Sequence, residues 1–364
     1  MEVITTMRKM LFVYNYPSGG VETLARQRSM ALAPYKIKFD LLYSSTGPGL
    51  QNITNEAAFV ITDPSERQKM VMEGNYEAII VCSTYTDLEV IRNYGYTGIL
   101  IYEIQGLGSI PEAKVFLQQL AKPYIDLYAD AILTPQTPHL ITITNREFPN
   151  KRKYHFHNGI NTIQFTYTNP EKEPDPIIGW VGRIEPHKNW REFIQIYLHL
   201  VPNNPRLRAW FFLDSTIFLP ADMKEFKELL ETNPSLKNCQ IFYNIPHEQM
   251  PTYYSRIASS GGFLCSTTIT EGFGYALLEA MCCLCPILTT DSDGISSFAF
   301  HNRTGQIYQQ GDIQKAVLEG QNLLHNERHR KLITQRAVHY VKEHFSLQKY
   351  ANKFLAMITE LKRI

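Results

Sequence analysis

The sequence predicts an α/β protein made of two parallel-sheet domains, and three observations carry the prediction. Short apolar runs rich in β-branched residues alternate with helical patterns, as they do when helices connect parallel strands. The alternation stops at a polar, proline-bearing stretch over residues 166–176 and then starts again. At 364 residues the chain also exceeds the roughly 250–300 residues that one hydrophobic core ordinarily serves, so two cores are expected.

Taken in order, residues 10–14 read as a buried strand. They lead into Pro17-Ser18-Gly19-Gly20-Val21-Glu22 and a helical pattern through Leu24, Met30 and Leu32, giving a strand, a glycine loop and a helix. Glycine at such a turn is a weak signal by itself, because any tight β-to-α connection uses it and the full dinucleotide fingerprint is missing. Further strands are expected at 38–43, 78–82, 99–102 and 131–134, with the domain boundary near 160–175. Beyond it, strands are expected at 177–181, 207–213, 239–243, 262–265 and 286–289, which make a second α/β unit. From Ser346 a last helical pattern carries Tyr350, Phe354, Leu355, Ile358 and Leu361 as an apolar stripe that needs a partner surface. The expected domains are thus 1–160 and 161–346, with a terminal helix over 347–364.

The stretch richest in chemistry is Thr270-Glu271-Gly272-Phe273-Gly274-Tyr275, which runs on as a helix through Glu279 and Met281. Gly272 and Gly274 permit a tight backbone, and the helix beginning at Tyr275 presents an N-terminal end that favours an anion such as a diphosphate. Glu271 precedes that helix and Glu279 lies about two turns inside it, so at ~1.5 Å rise per residue they are up to ~12 Å apart. One ligand with a sugar hydroxyl at one end and a ribose diol at the other reaches both carboxylates through charge-assisted hydrogen bonds. A solvated helix cap is the plain alternative. The Gly-Phe-Gly between the carboxylates and the apolar strand before them weigh against it. A second element, Gly182-Arg183-Ile184-Glu185-Pro186-His187-Lys188, follows the strand 177–181, and its two cations converge at that strand's carboxyl end. Arg183 suits bidentate contact with phosphate oxygens and Lys188 acts as a point charge, together offsetting the charge that develops on a diphosphate leaving group.

Residues 270–281 resemble the E-x7-E signature of retaining glycosyltransferase family 4, whose members have the GT-B architecture: two Rossmann-like domains facing each other across a cleft. Other segments are similar to that family in the same order. Gly19-Gly20-Val21-Glu22 resembles its G-G-x-E loop, Arg183 and Lys188 its G-R-x4-K element, Asn158-Gly159-Ile160-Asn161 its N-G-V-D turn, and Thr304-Gly305 its late T-G turn. Asn244-Ile245-Pro246 stands where the family usually docks the base. The resemblance implies transfer of a hexosyl or N-acetylhexosaminyl group from a nucleotide-diphosphate sugar, UDP-linked first and GDP-linked second, to an acceptor hydroxyl with retention and without a metal or other cofactor. It implies that Gly19, Gly20, Arg183, Lys188, Gly274 and Tyr275 hold the donor diphosphate. Glu271, Gly272, Phe273 and Gly274 would hold the donor sugar, Glu279 the ribose, and Asn244 and Ile245 the base. Glu271, Arg183 and Lys188 would form the catalytic group, with a front-face route in which Glu271 is not a nucleophile. Glu22, Glu103 and Gln105 would lie on the acceptor side. It further implies a final helix that crosses back to the first domain, domains that hinge, and an active site in the cleft.

The chain departs from the family at three places. Gln105 stands where many members have a histidine, and an amide donates a hydrogen bond but does not titrate, which speaks against a general base there. Leu284 replaces a glycine and Asn161 an aspartate.

Bulk properties narrow the partners. A net charge of +1 gives no reason to expect nucleic acid. No stretch approaches the ~20 apolar residues of a membrane span, and residues 1–6 lack the features of a leader peptide, so a soluble protein in the cytoplasm or at the inner face of its membrane is expected. Six cysteines, mostly in apolar segments, suit a reducing compartment; the Asn52 and Asn302 sequons are then without consequence. Asp291-Ser292-Asp293 matches a metal-binding D-x-D triplet of another glycosyltransferase architecture, yet the resemblance implies otherwise: after the strand 286–289 the family has a Ser-Asp-Gly-Gly type loop that usually binds no metal. Cys282 to Cys285 contain a C-x-x-C, which in isolation suggests redox chemistry or half a zinc site; the family's A-C-G-C-P run occupies these positions, so the resemblance implies core packing. His155 and His157 would share one strand face and lack further ligands. The many Tyr and Phe residues read mostly as core, and Lys151-Arg152-Lys153 as a solvated turn before weak contact with an anionic lipid or polymer. The acceptor classes are a sugar, a lipid-linked intermediate, a cell-wall polymer and a small metabolite. Two other functions are weighed, a GT-B nucleotide-sugar 2-epimerase and a non-catalytic nucleotide-sugar-binding subunit; the E-G-F-G-x4-E element speaks against the first and the full set of charged residues against the second.

Overall fold

The structure is a computed structural model that describes residues 7–54 and 56–363. The stretch 1–6, judged above for a leader peptide, lies outside the described residues. The chain forms two units, Met1–Ile160 with Phe345–Ile364, and Asn161–His344.

The first unit is built on a seven-stranded sheet in the order β3-β2-β1-β4-β5-β6-β7. Its strands are β1 (Arg8–Tyr14), β2 (Ile37–Tyr43), β3 (Ala57–Val60), β4 (Ala78–Cys82), β5 (Ile99–Glu103), β6 (Ala131–Thr134) and β7 (Arg152–His155). Neighbours pair in parallel throughout, with Phe12 opposite Leu41 on one side and Ile80 on the other. Helices cover both faces of such a sheet, so its central strands are continuous apolar runs, and Met10 to Val13 are wholly buried. The five strands expected in this half are all present. The two that were not expected, β3 and β7, are the edges. Each has only one neighbour and is four residues long; β7 is polar, and β3 is apolar but mostly exposed and too short to show a periodic pattern.

Two readings change at β7. The Lys151 to Lys153 run is not a free solvated turn: Lys151 Nζ donates to the Ala129 carbonyl (2.5 Å) and Lys153 Nζ to the Phe148 carbonyl (2.6 Å), while Arg152 and Lys153 belong to the strand. Nor do His155 and His157 share a strand face, because the strand ends at His155 and the His157 ring lies against Phe345 at 4.8 Å.

The C-terminal helix, Leu347–Leu361, belongs to this unit. The Ile160 amide donates to the Phe345 carbonyl (2.8 Å), Tyr350 meets Phe156, and Phe354 meets Phe39, so its apolar stripe is buried against the sheet and the helix Gly19–Leu32.

The second unit holds a six-stranded parallel sheet, β10-β9-β8-β11-β12-β13. Its strands are β8 (Ile177–Val181), β9 (Arg208–Leu213), β10 (Cys239–Tyr243), β11 (Phe263–Ser266), β12 (Ile287–Thr290) and β13 (Gln306–Tyr308). An aromatic cluster that includes Trp180, Trp190, Phe193, Phe211 and Phe226 fills one face. Only β13 was not expected; three residues are too short to show a periodic pattern. In both units the chain builds one side of the sheet, returns to the middle and builds the other. This creates a switch point between β1 and β4 in one unit and between β8 and β11 in the other. Outside the carboxyl ends of strands at such a point, diverging loops leave a crevice in which ligands bind.

Candidate functional site

The loops leaving β8 and β11 meet at the second unit's switch point, and hydrogen bonds fix their relative position. Trp180 Nε1, buried in the aromatic cluster, donates to Thr267 Oγ1 (3.1 Å), and the Thr267 hydroxyl faces the carbonyls of Lys188 (3.0 Å) and Asn189 (2.9 Å). The Ile269 amide donates to the His187 carbonyl (2.9 Å). Asn189 takes a left-handed conformation (φ 52°), turning the chain from this loop into the helix Trp190–Leu200. The outcome is a direct ion pair: Lys188 Nζ lies 3.0 Å from Glu271 Oε2, both side chains about one-fifth exposed. Arg183 stands at the start of the same loop, 3.2 Å from Glu185.

The start of the helix Tyr275–Cys282 depends on two glycines. Gly274 occupies the cap position at φ 81°, where a β-carbon is disfavoured, and it has no side chain to cap the helix amides. Gly294 passes so close beneath the loop that a β-carbon on it would lie 1.9 Å from the Glu271 carbonyl oxygen. The Asp291 to Asp293 triplet therefore belongs to a supporting loop. Asp291 Oδ1 accepts from the Gln310 amide (3.3 Å), and Ile295 and Phe298 back Gly274, each within 3.1 Å of where its β-carbon would be. Phe273 and Tyr275 are buried and stand edge to face, 4.9 Å between ring centres.

Glu279 is less open than a ribose-binding carboxylate suggests. Only 3% of it is exposed, and both oxygens have partners: His247 Nε2 at 2.7 Å from Oε1, and the Tyr254 hydroxyl, which donates to Oε2 at 3.1 Å. Burial, reinforced by the Glu279 charge, holds the Tyr254 phenol well above its ordinary value. His247 also lies against Phe165 (4.9 Å). Neither His247 nor Tyr254 was singled out from the sequence. The one available signal was the position of His247, directly after Asn244-Ile245-Pro246. Asn244, in a left-handed conformation (φ 48°), spends its side chain on Ser215, accepting from its amide (3.1 Å) and donating to its hydroxyl (2.6 Å). It thus ties the loop after β10 to the loop after β9, while Ile245 beside it is half-buried.

In the first unit, Gly19 and Gly20 follow β1 at the switch point, and they form the first residues of the helix Gly19–Leu32 instead of a separate loop. Glu22 is buried and pairs with Arg26 one turn later, Arg26 Nη2 donating to Oε2 at 3.1 Å. Glu103 is wholly buried at the end of β5 and pairs with Arg28 at 2.5 Å. Gln105 donates from Nε2 to Glu103 (2.8 Å) and accepts at Oε1 from Asn158 (2.7 Å), so its amide has one orientation. Of the candidate acceptor-side residues, Glu22 and Glu103 are thus packed structural charges, and Gln105 is the half-buried one.

All six cysteines are free. Burial raises their thiols, that of Cys282 to about 12 with Glu279 adding to the effect, so Cys282 and its neighbours are inert core residues. Among the described residues no cluster of three or more His, Cys, Asp or Glu side chains is arranged to hold a metal ion.

Paired parallel sheets of this order, with cations and carboxylates gathered at a switch point, define the GT-B class of fold. Residues 164–339 match the family model described as glycosyl transferases group 1, a match that covers nearly all of the second unit. Solved structures extend the likeness over the whole chain. HepE from Anabaena in complex with UDP-glucose superposes with a TM-score of 0.78 at 15% identity, covering 96% of this chain and 99% of that one. Sucrose-phosphate synthase from Thermosynechococcus elongatus gives 0.74 at 14% identity, covering 98% and 99%. A variant of TarM from S. aureus gives 0.75 at 11% identity, covering 97% and 100%. At these identities the likeness carries the fold. A comparison with curated proteins finds no match.

Proposed function

We propose that this protein is a retaining glycosyltransferase of family 4 type that moves a hexosyl or N-acetylhexosaminyl group from a nucleotide-diphosphate sugar to an acceptor hydroxyl. The observation that carries the reading is the Lys188–Glu271 ion pair, held at the second unit's switch point beside a helix start with no side-chain cap. A diphosphate arriving there draws Lys188 and Arg183 to its oxygens and takes the helix amides behind Gly274. Glu271, released from Lys188, accepts from the hydroxyls of the donor sugar. The bond between the anomeric carbon and the diphosphate then breaks, its electron pair leaving on the phosphate oxygen, where the two cations and the helix end stabilise it. The acceptor oxygen bonds to the same face of that carbon, and its proton passes to the departing phosphate. Glu279, held by His247 and Tyr254, receives the ribose at the edge of this set, and the backbone at Asn244 and Ile245 receives the base.

UDP is the favoured nucleotide. This rests on the UDP-glucose complex of HepE, a structural relative, and not on a base contact in this chain. No divalent metal is required, so activity should persist in a chelator. No described helix is long and apolar enough to cross a membrane. We place the reaction in the cytoplasm, at or near the inner face of the membrane if the acceptor is lipid-linked. The test is thermal stabilisation by a panel of UDP-, GDP-, ADP- and dTDP-sugars, with Arg183→Ala and Glu279→Ala alongside. One nucleotide should stabilise the wild type strongly and neither variant. A wild type indifferent to all four, or variants that respond as it does, would remove the donor site from this place. Product NMR then reads the anomeric configuration, and an inverted product would refute retention.

A further inference from the structure

Outside the donor loops, the second unit contains a cavity of about 380 Å³ lined by Phe300, Arg303, Thr304, Arg336, His339 and Tyr340. We propose that this cavity is a second binding site, one for a ring compound that carries a phosphomonoester. Its volume falls in the range of small-molecule pockets. Phe300 and Tyr340 form a corner of aromatic surface, edge to face at 5.2 Å and 89°, against which a flat or ring-shaped body packs. Arg303 and Arg336 supply two guanidinium groups. Both are exposed, and neither takes part in an ion pair among the described residues; Arg303 lies over the Phe300 ring at 5.9 Å. None of the six lining residues is acidic. Glu343 pairs with the His339 ring at 3.6 Å. Two unneutralised guanidiniums beside aromatic walls select an anion that accepts bidentate hydrogen bonds, and a phosphate does so with the fitting geometry.

The walls are fixed by the protein itself. Thr304 Oγ1 donates to the Phe298 carbonyl (2.7 Å) and accepts from the Phe300 amide (2.8 Å), closing the turn that carries Arg303. Tyr340, on the helix Glu327–His344, donates from its hydroxyl to the Ser297 carbonyl (3.0 Å), which holds the helix face to the turn. The cavity is therefore present before any ligand enters, and the Thr304-Gly305 pair noted in the sequence forms part of its frame.

Isothermal titration of the full chain with glucose 6-phosphate, AMP and inorganic phosphate tests the site directly and needs no donor sugar. At least one of the two ring compounds should bind at least about tenfold more tightly than inorganic phosphate. The Arg303→Ala/Arg336→Ala double variant should weaken that binding by roughly tenfold to a hundredfold, the scale of lost charged hydrogen bonds. Arg183→Ala should leave it unchanged, so failure of the donor reading and failure of this one give different results. If the double variant melts early, Arg303→Gln and Arg336→Gln singly carry the same comparison at exposed positions. Equal binding of all three probes would mean an adventitious ion only. Binding that survives the double variant, or is lost in Arg183→Ala, would place the ligand elsewhere. Each of these results overturns the proposal, as does the absence of binding by all three probes.

Discussion

Lys188 and Glu271 are half-buried, and their pairing is modest in energy on its own, as it is for most ion pairs in contact with water. In the proposed reaction their role is chemical: each occupies the other until a ligand with both an anion and hydroxyls exchanges for the pair. Lys188→Ala should lower kcat by ~10²–10³, the usual effect of removing one preorganised charge stabiliser, and steady-state kinetics with the stabilising nucleotide sugar will measure it. Tyr254→Phe tests the support of Glu279. Removing the hydroxyl leaves a buried carboxylate oxygen without its donor, a loss of about 1–3 kcal/mol to be read by denaturant unfolding.

At the scale of elements, the supporting loop beneath Glu271 has little room. Gly294→Ala places a methyl group 1.9 Å from a carbonyl oxygen, so the loops must part. Nucleotide-sugar affinity should fall while far-UV circular dichroism stays near that of wild type. The β6–β7 edge gives a pH dependence. Burial, with Lys153 nearby, lowers the His155 imidazole from its ordinary value of 6.5. The Thr134 hydroxyl donates to the Pro135 carbonyl, so His155 Nδ1 is the donor to Thr134 Oγ1, and buried Nε2 has no partner for a second proton. The unfolded chain then takes up a proton near 6.5 that the folded chain refuses. The stability tied to this group is whole above 6.5 and declines as pH falls below it. Melting curves from about pH 7.5 to about pH 5.5 should show a steeper loss for wild type than for His155→Gln.

At the scale of the whole molecule, the first unit is discontinuous in sequence, and a buried cation ties its two parts together. Arg28 donates to Glu103 and to the Tyr350 hydroxyl (2.6 Å), with its guanidinium near the rings of Phe12, Phe39 and Phe354. Burial opposes the charge, but Glu103 and Tyr350 outweigh it and hold the group above its ordinary value. Arg28→Met leaves Glu103 charged and buried without its counterion and should cost about 3–5 kcal/mol in equilibrium unfolding. A chain ending before Phe345 loses Tyr350 and Phe354 together. Its first unit should melt at lower temperature than the second, where the full chain is the reference.

By itself the sequence determined the central strands, because a strand buried on both faces must be apolar along its length. It also placed Arg183 and Lys188 in the loop after a strand, and Glu271 and Gly274 in the loop before a helix, because an apolar run marks where each element ends or begins. The edge strands β3 and β7 were not legible: each has four residues, too few for a periodic pattern, and β7 is polar. Tertiary structure alone decided the partners. Lys188 and Glu271 are 83 positions apart and His247 and Glu279 are 32, and only the return of the chain to the middle of the sheet makes them neighbours. The same holds for Glu103, whose partner Arg28 is 75 positions away, whereas Glu22 pairs with Arg26 one turn along its own helix. A glutamate in sequence reads as a charge offered to a ligand, and whether another part of the protein has already claimed it depends on which elements the fold brings to its side.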